Sequence, residues 1–521
     1  MPLNIRELIV ITGIALLIFA LAKPVALRFM EERDFRRRRA AWLALTAIAF
    51  LSPSFWLFVA LSAPILFAVG RRDTHPACAY VLLIRVIPPF QVSIPMIGIS
   101  RLFDLDMPLL AAMCIMVPAA VALARRPAAE AGRAIRGLDT VLLAYIALST
   151  VLYIHFLPRG SEVLIPPSFT DMLRRAFVAF VGAFVPYFVI SRTSFNRRAL
   201  VDLLATACLI AAVMAAIAVF ESARHWLLYA EVPTRWGYGS TFTLYLNRAG
   251  SVRAIASTGQ PLGLALILAT FFGAWLYLKE HVPSAPRRIL GTALLLLGLI
   301  STYSRGPWLG AACVYVLYTL LSPRPLGRAL KAVAAVAFAT LILMMSPYGD
   351  KVASALPSFG GHGSTDPSIL YRDRLVGRAR QIIADSPIAG DQDAMLRMQD
   401  LRQGEGIIDI VNTYVQVLLA NGIIGMALFG SFIAAAIWGA WLESRRVASQ
   451  DPDLSTLGAA LLASALGMLL MLINSSLDAT DFFIVLACAA GYTQLVKSER
   501  ATRKLAARGA VRHEPATAIS R

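Results

Sequence analysis

The stretch Ser301-Thr302-Tyr303-Ser304-Arg305-Gly306-Pro307-Trp308 interrupts a long apolar region, with Ile289–Ile300 before it and Leu309–Leu321 after it. A helix that crosses a bilayer needs about 20 predominantly apolar residues. Both flanking runs are shorter, so the turn is expected to dip below the membrane surface. Gly306-Pro307 breaks the helix, and Pro307 suits the first turn of the next one. Arg305 then carries its charge at or near membrane depth, where such residues face a polar cavity or a substrate. An arginine snorkelling to the headgroups is the ordinary alternative. Arg305 alone does not decide between them.

Working outward, the composition settles the class. The chain has 521 residues, 58% hydrophobic and 15% charged, with a mean hydropathy of +0.67. That describes an all-α polytopic integral membrane protein and excludes a soluble core with one anchor. The net charge of +18 is not gathered in an aromatic-interleaved patch, so no nucleic-acid partner is expected. Basic residues instead recur in short segments between apolar runs, as the positive-inside rule predicts. Cys78, Cys114, Cys208, Cys313 and Cys488 all sit in apolar runs without a CxxC pair, which offers neither a disulfide framework nor a metal site. Leu8–Ala22 lacks a basic n-region and a small-residue cleavage site, and reads as the first membrane helix.

Along the chain, Arg36-Arg37-Arg38-Arg39 is the clearest cytoplasmic label and also suits anionic lipid headgroups. Ala40–Gly70, with Ser52-Pro53-Ser54 in its middle and basic clusters on both flanks, favours a hairpin of two short crossings. Apolar runs follow at Ala77–Ile94, Met107–Ala124, Leu138–Phe156, Ala176–Ile190, Leu200–Phe220, Pro261–Leu278, Ala332–Met345, Val415–Trp441, Leu457–Ile473 and Phe482–Val496. The expectation is roughly 13 to 15 transmembrane helices and one large periplasmic loop carrying short amphipathic helices. The organisation expected is N-terminal helices and a first outer loop over 1–256, helices with the turn over 257–346, and the large loop over 347–412. C-terminal helices over 413–496 and a basic cytoplasmic tail over 497–521 complete it. Alternating sides puts Glu221–Gln260, Ser304-Arg305-Gly306 and Pro347–Asn412 on one outer face. There is no internal repeat and no inverted pair of broken helices of the transporter kind.

The large loop opens with a Gly-rich stretch containing His362. Ile369–Ala384 follows, with apolar residues at helical spacing and Arg372, Arg374, Arg378 and Arg380 riding on it, ended by Asp385-Ser386-Pro387. An amphipathic helix with four arginines suits an anionic substrate at the interface. A solvated face paired with Asp373 and Asp385 explains it equally. Asp409, Asn412 and Gln416 are spaced i, i+3, i+7, with Thr413 beside them. They share one face if the helix has begun by Asp409, whereas Asp409 as an N-cap is the structural alternative. The earlier outer loop contributes Arg248 and Arg253, then Ser257-Thr258-Gly259-Gln260-Pro261 at the start of a crossing.

In order, these parts resemble the O-antigen ligase and polysaccharide polymerase superfamily. In that family a Ser-Arg-Gly turn precedes a large periplasmic loop with a basic helix. A Pro-x-x-Gly element follows, then a His-Asn-x-Tyr-Leu and Gly-x-x-Gly segment leading into a helix. Here the elements are Ser304-Arg305-Gly306, Tyr371–Gln381, Ser386-Pro387-Ile388-Ala389-Gly390, and Asn412-Thr413-Tyr414-Val415 through Gly422-Ile423-Ile424-Gly425. The resemblance covers roughly Ser257 to Trp441. Val411 stands where the family commonly has histidine. The phrase Gly406-Ile407-Ile408-Asp409-Ile410-Val411-Asn412 is similar to the exopolysaccharide polymerase branch, with an acidic residue three positions before the asparagine.

The resemblance implies a glycosyltransferase of the inner membrane, acting at its periplasmic face on an undecaprenyl-diphosphate-linked glycan donor and a glycan acceptor. Arg305 is expected to bind the leaving diphosphate, with Arg374 or Arg378 assisting. Asp409 is expected as general base or hydroxyl acceptor, and Asn412 as a hydrogen-bond donor to sugar or phosphate. Arg253, Arg372, Tyr414 and Gln416 complete the expected substrate-binding set. No HExxH motif is present and no carboxylate cluster is read as a metal site, so no metal and no cofactor are expected. Membrane lipids are partners, and a chain-length regulator is a pathway expectation. Polymerase is favoured over ligase by the absent histidine. A transporter of lipid-linked glycan is the rival from another class, disfavoured because the polar chemistry gathers at one face. A purely structural scaffold for an export complex is the remaining alternative.

Overall fold

The computed structural model describes residues 2–96, 101–125, 133–155, 169–238, 247–248, 251–323, 327, 367–402, 408, 410, 412–475 and 479–512. The chain is all-α. The first helices are α1 (Leu3–Ala26), α2 (Glu32–Leu51), α3 (Phe55–Arg72) and α4 (Pro76–Leu83). Then come α5 (Met107–Ala124), α6 (Arg133–His155), α7 (Phe169–Thr193) and α8 (Arg197–Arg224). The second half contains α9 (Pro261–Leu278), α10 (Ala285–Ile300), α11 (Arg305–Leu321) and α12 (Pro367–Asp385). It ends with α13 (Thr413–Val447), α14 (Pro452–Met471) and α15 (Ala479–Arg512). Two short antiparallel pairings, Val92–Ser93 with Asp104–Leu105 and Asn247–Arg248 with Ser251–Val252, are the strands among the described residues.

Among the described residues, nine helices are long and apolar enough to cross a membrane: α1, α3, α5, α6, α7, α8, α9, α13 and α14. α10 and α11, of 16 and 17 residues, fall just short, as the flanks of the turn do in the sequence. α2 opens with an arginine run and α15 ends in a basic one, so each is apolar over only part of its length. The run Ala332–Met345 lies outside the described residues. The expected hairpin forms: Ser52-Pro53-Ser54 separates α2 from α3, and the Ser54 hydroxyl accepts from the Leu57 amide at 3.3 Å as an N-cap. One expected crossing does not form as such. Of the run Ala77–Ile94 only Ala77–Leu83 is helical, as part of α4, because Pro88-Pro89 cannot continue a helix and Arg85 turns inward to pair with Asp481.

α8, α9 and α14 are buried along most of their length and form the centre of the bundle, with α1 and α6 at its edge. Small residues let these inner helices approach. A Cβ on Gly467 would lie 2.2 Å from Val314 of α11, and Ser464 donates to the Thr270 carbonyl of α9 at 2.8 Å. Close backbone approach of this kind replaces the hydrophobic drive that lipid does not supply.

Candidate functional site

α10 ends at Ile300, and the chain reverses within four residues before α11 starts. Ser301 N donates to Leu297 O at 2.9 Å and Tyr303 N to Ile300 O at 3.0 Å, so the turn grows out of the last helical turn. Tyr303 takes the left-handed conformation at φ 49°, a position seldom held by a non-glycine residue. Arg305 is the first residue of α11, with Ser304 before it at the N-cap, and the Trp308 indole donates to Leu299 O at 2.9 Å across the turn.

The first outer loop is laid along this turn. Ala254 N donates to Ser301 O at 3.0 Å, Arg253 Nε to Thr302 O at 3.1 Å, and Arg253 Nη2 to the Ser304 hydroxyl at 2.9 Å. Arg253 is therefore fixed to the same four-residue turn that delivers Arg305. The start of α13 closes another side. Gly306 abuts Asn474, whose Cβ would be 3.8 Å from an added methyl, and Ser475 O next to it accepts from Thr413 N at 3.2 Å and Thr413 Oγ1 at 2.9 Å. The first outer loop and, through Asn474-Ser475, the start of α13 thus both lie beside the turn.

The start of α13 differs from the i, i+3, i+7 reading. The helix has not begun by Asp409: it starts at Thr413, and Asn412 is its N-cap, its side-chain oxygen accepting from Tyr414 N at 3.0 Å and Val415 N at 3.1 Å. A run of i+3 positions cannot say where a helix starts, and an asparagine is a preferred cap. The Asn412 amide nitrogen is not used by the cap. Tyr414 anchors its hydroxyl on Leu469 O at 2.8 Å, and Gln416 is exposed. Asp409, Val411 and His362 lie outside the described residues.

α12 forms where the periodicity placed it. Leu375, Ala379 and Ile382 pack with Ala394, Met398, Leu401, Ile408, Ile410 and Leu419 in a second small core, separate from that of the bundle. Arg378 binds the polypeptide itself, donating to Arg397 O at 3.2 Å and to Gln381 at 3.1 Å, while Arg374 and Arg380 are exposed. The Arg372 side chain lies outside the described residues. Arg397 bridges Asp385 and, at 3.1 Å, Asp391, closing the loop behind α12.

The two glycine motifs meet each other. α13 is broken at Gly422, with φ 59° and ψ −162°, and Pro387–Gly390 supplies the partners that the break leaves open. Ile423 N donates to Pro387 O at 2.9 Å, Ile424 N to Ile388 O at 3.2 Å, and Asp391 N to Leu419 O at 2.6 Å. Non-helical backbone at membrane depth survives only where protein satisfies it in this way. Gly390, at φ 76°, has the Gly422 nitrogen 2.5 Å from where a Cβ would be.

One buried acid and two buried charge clusters were not announced by any motif. Glu221, in the last turn of α8, is fully buried and touches the loop that carries Arg253. Arg85 and Asp481 form a buried pair 396 positions apart in sequence. Arg38 is held by Asp73 at 2.7 Å and Asp202 at 2.6 Å, with His75 Nδ1 2.9 Å from Asp202. Ligand atoms of His75, Cys78 and Asp202 lie within 4.8 Å of one another, although Arg38 contacts both Asp202 oxygens. Asp202 and Glu221 are 19 positions apart on α8, roughly 28 Å along its axis, so this cluster is at the far end of the bundle from the turn. The only advance signal was an acid inside an apolar run.

Helices, turn and loop define a multi-pass membrane protein. Residues 290–430 match the family model described as O-Antigen ligase, a segment that contains the Ser-Arg-Gly turn, α12, Pro387–Gly390 and the break in α13. This match, over about a quarter of the chain, supports the resemblance to the O-antigen ligase and polysaccharide polymerase superfamily. The match supports a function of the ligase or polymerase type, acting on lipid-linked glycans. Arg253 and Glu221 lie N-terminal to the matched segment. No curated protein matches the chain in a sequence comparison.

Proposed function

We propose that this protein polymerises repeat units of an exopolysaccharide or O-antigen at the periplasmic face of the inner membrane. It would transfer glycan from an undecaprenyl-diphosphate-linked oligosaccharide to a second lipid-linked glycan. The acceptor hydroxyl oxygen attacks the anomeric carbon, the bond from that carbon to the diphosphate oxygen breaks, and undecaprenyl diphosphate leaves with its charge. The observation that carries the reading is the seating of Arg253 on the Ser-Arg-Gly turn, which brings a second positive charge to the turn that delivers Arg305. Arginine binds such oxygens with a paired fork geometry, and fixed positive charge is worth most where charge develops in the transition state. Arg374, exposed on α12, and the unused amide nitrogen of Asn412 are the further donors. Asp409 takes the acceptor proton, and anchoring of both substrates in one membrane supplies proximity.

The chemistry proposed is metal-independent, and activity lost in chelator and restored by magnesium would contradict that. Ligation of glycan to lipid A-core uses the same donor and remains the second reading, since the matched family is described as a ligase. A deletion strain separates them. Single repeats accumulating on lipid, with polymer lost, identify the polymerase; free polymer absent from lipopolysaccharide identifies the ligase. Reconstituted vesicles that move lipid-linked glycan without joining glycans would instead favour transport.

A further inference from the structure

We infer that Glu221 is a positioning residue that holds the Arg253 arm against the Ser301–Ser304 turn, an inference that rests on reading this turn as the diphosphate site. Glu221 sits in the last turn of α8 and is completely buried. One carboxylate oxygen accepts from Leu228 N at 3.0 Å; the other accepts from Ile255 N at 2.9 Å and Ala256 N at 2.8 Å. Ile255 and Ala256 follow directly on Arg253 and Ala254, the two residues bonded to the turn. Two successive amides converging on one anionic oxygen make a small nest, and such charge-assisted bonds are short and strong.

The backbone shows what the carboxylate is holding. Ala256 has φ 42°, a left-handed conformation that a residue with a Cβ keeps only when its surroundings over-determine it. Beyond it, the Thr258 hydroxyl donates to Ile255 O at 2.6 Å, and Thr258 N bonds the same carbonyl at 3.0 Å, so the arm is tied across the strained residue before α9 begins. A buried acid in an apolar helix is a costly way to cap a loop. Its placement directly under the arginine arm gives that cost a purpose. Glutamine would offer one carbonyl oxygen and set an NH2 donor against the remaining amides, so Glu221→Gln releases at least one anchor while changing volume little.

The test is a double-mutant cycle on the purified full-length protein, with undecaprenyl diphosphate as the binding probe and undecaprenyl monophosphate as its control. Arg253→Ala should weaken diphosphate binding, and Glu221→Gln should weaken it by about tenfold, the order expected when one hydrogen bond to a charged group is lost. In an Arg253→Ala background, Glu221→Gln should cost less than about twofold further, because both changes remove the same interaction. Equal losses in the two backgrounds, or wild-type binding by Glu221→Gln, would overturn the inference. Wild-type binding by Arg253→Ala would instead sink the reading of the turn as the donor site. If Glu221→Gln does not accumulate, Glu221→Asp, which keeps both oxygens but retracts them by one methylene, is run through the same cycle. It should show the same background dependence, and wild-type affinity in that variant would overturn the inference.

Discussion

Replacing Gly422 with alanine would place a methyl carbon 2.3 Å from Ile388 O, 2.5 Å from Ile388 C and 2.6 Å from Gly390 N, all of them backbone atoms. No rotamer change relieves that overlap; the Pro387–Gly390 segment has to move away. Moving it breaks the bonds from Ile423 N to Pro387 O and from Ile424 N to Ile388 O. Each is worth about 0.5–1.5 kcal/mol net, and more where the freed groups find no water. Alanine at φ 59°, ψ −162° adds about 1–3 kcal/mol of backbone strain in a region kept for glycine. The sum is on the order of 2–6 kcal/mol, a large share of the stability of an ordinary domain. Gly430→Ala is the control, in the same helix and with nothing within 4 Å of the added carbon. The assays are thermal unfolding of the detergent-purified protein and amide exchange over 386–392 and 420–424. Gly422→Ala should melt well below Gly430→Ala and exchange faster in both segments. Equal melting, with wild-type protection of the Ile423 and Ile424 amides, would refute the argument that the two glycine motifs serve one contact.

Arg38→Ala leaves Asp73 and Asp202 buried together without their shared cation, which should cost about 3–5 kcal/mol and reduce protein accumulating in the membrane. Arg38→Lys should recover only part, because an ammonium cannot fork to two carboxylates, and wild-type melting in Arg38→Ala would contradict this. Burial, then the neighbouring Asp391, push the Asp393 carboxyl above its usual range. A raised acid stabilises the fold below its unfolded value and loses that contribution as pH rises through the folded one. Proteolysis of the 386–402 segment should therefore quicken as pH climbs through the carboxylate range, and Asp393→Asn should flatten that dependence; an unchanged slope would contradict it. Arg85→Ala should destabilise strongly, and a second change, Asp481→Ala, should restore part of the loss. Additive losses, read by melting temperature, would show that the pair is not coupled.

Much of this architecture is legible in the sequence because lipid imposes one rule, that backbone polar groups be satisfied inside each crossing segment. Hydropathy therefore marks the helices, Ser52-Pro53-Ser54 marks where α2 stops, and Pro307 marks the first turn of α11. α12 was readable because its apolar residues keep helical spacing even outside the main core. The interior charges were not. Arg85 looks like an interruption of an apolar run until Asp481 is brought beside it from the other end of the chain. The motif spacing named Gly390 and Gly422 without saying that each excludes a side chain on the other. At the site, Arg305 was conspicuous as a charge between two short helices, whereas Arg253 was one arginine in a polar loop. Its importance comes from three hydrogen bonds between that loop and the turn, contacts that no local pattern encodes. Asn412 shows the converse, a residue chosen for chemistry that also serves as a cap.

The central claim is that the turn bearing Arg305 and Arg253 binds the diphosphate of a lipid-linked glycan donor. Its most direct test is glycan analysis of a deletion strain carrying Arg305→Ala, with membrane levels of the variant matched to wild type. The account predicts that polymer is lost while single repeats accumulate on lipid. Wild-type polymer from Arg305→Ala at matched protein level would contradict it.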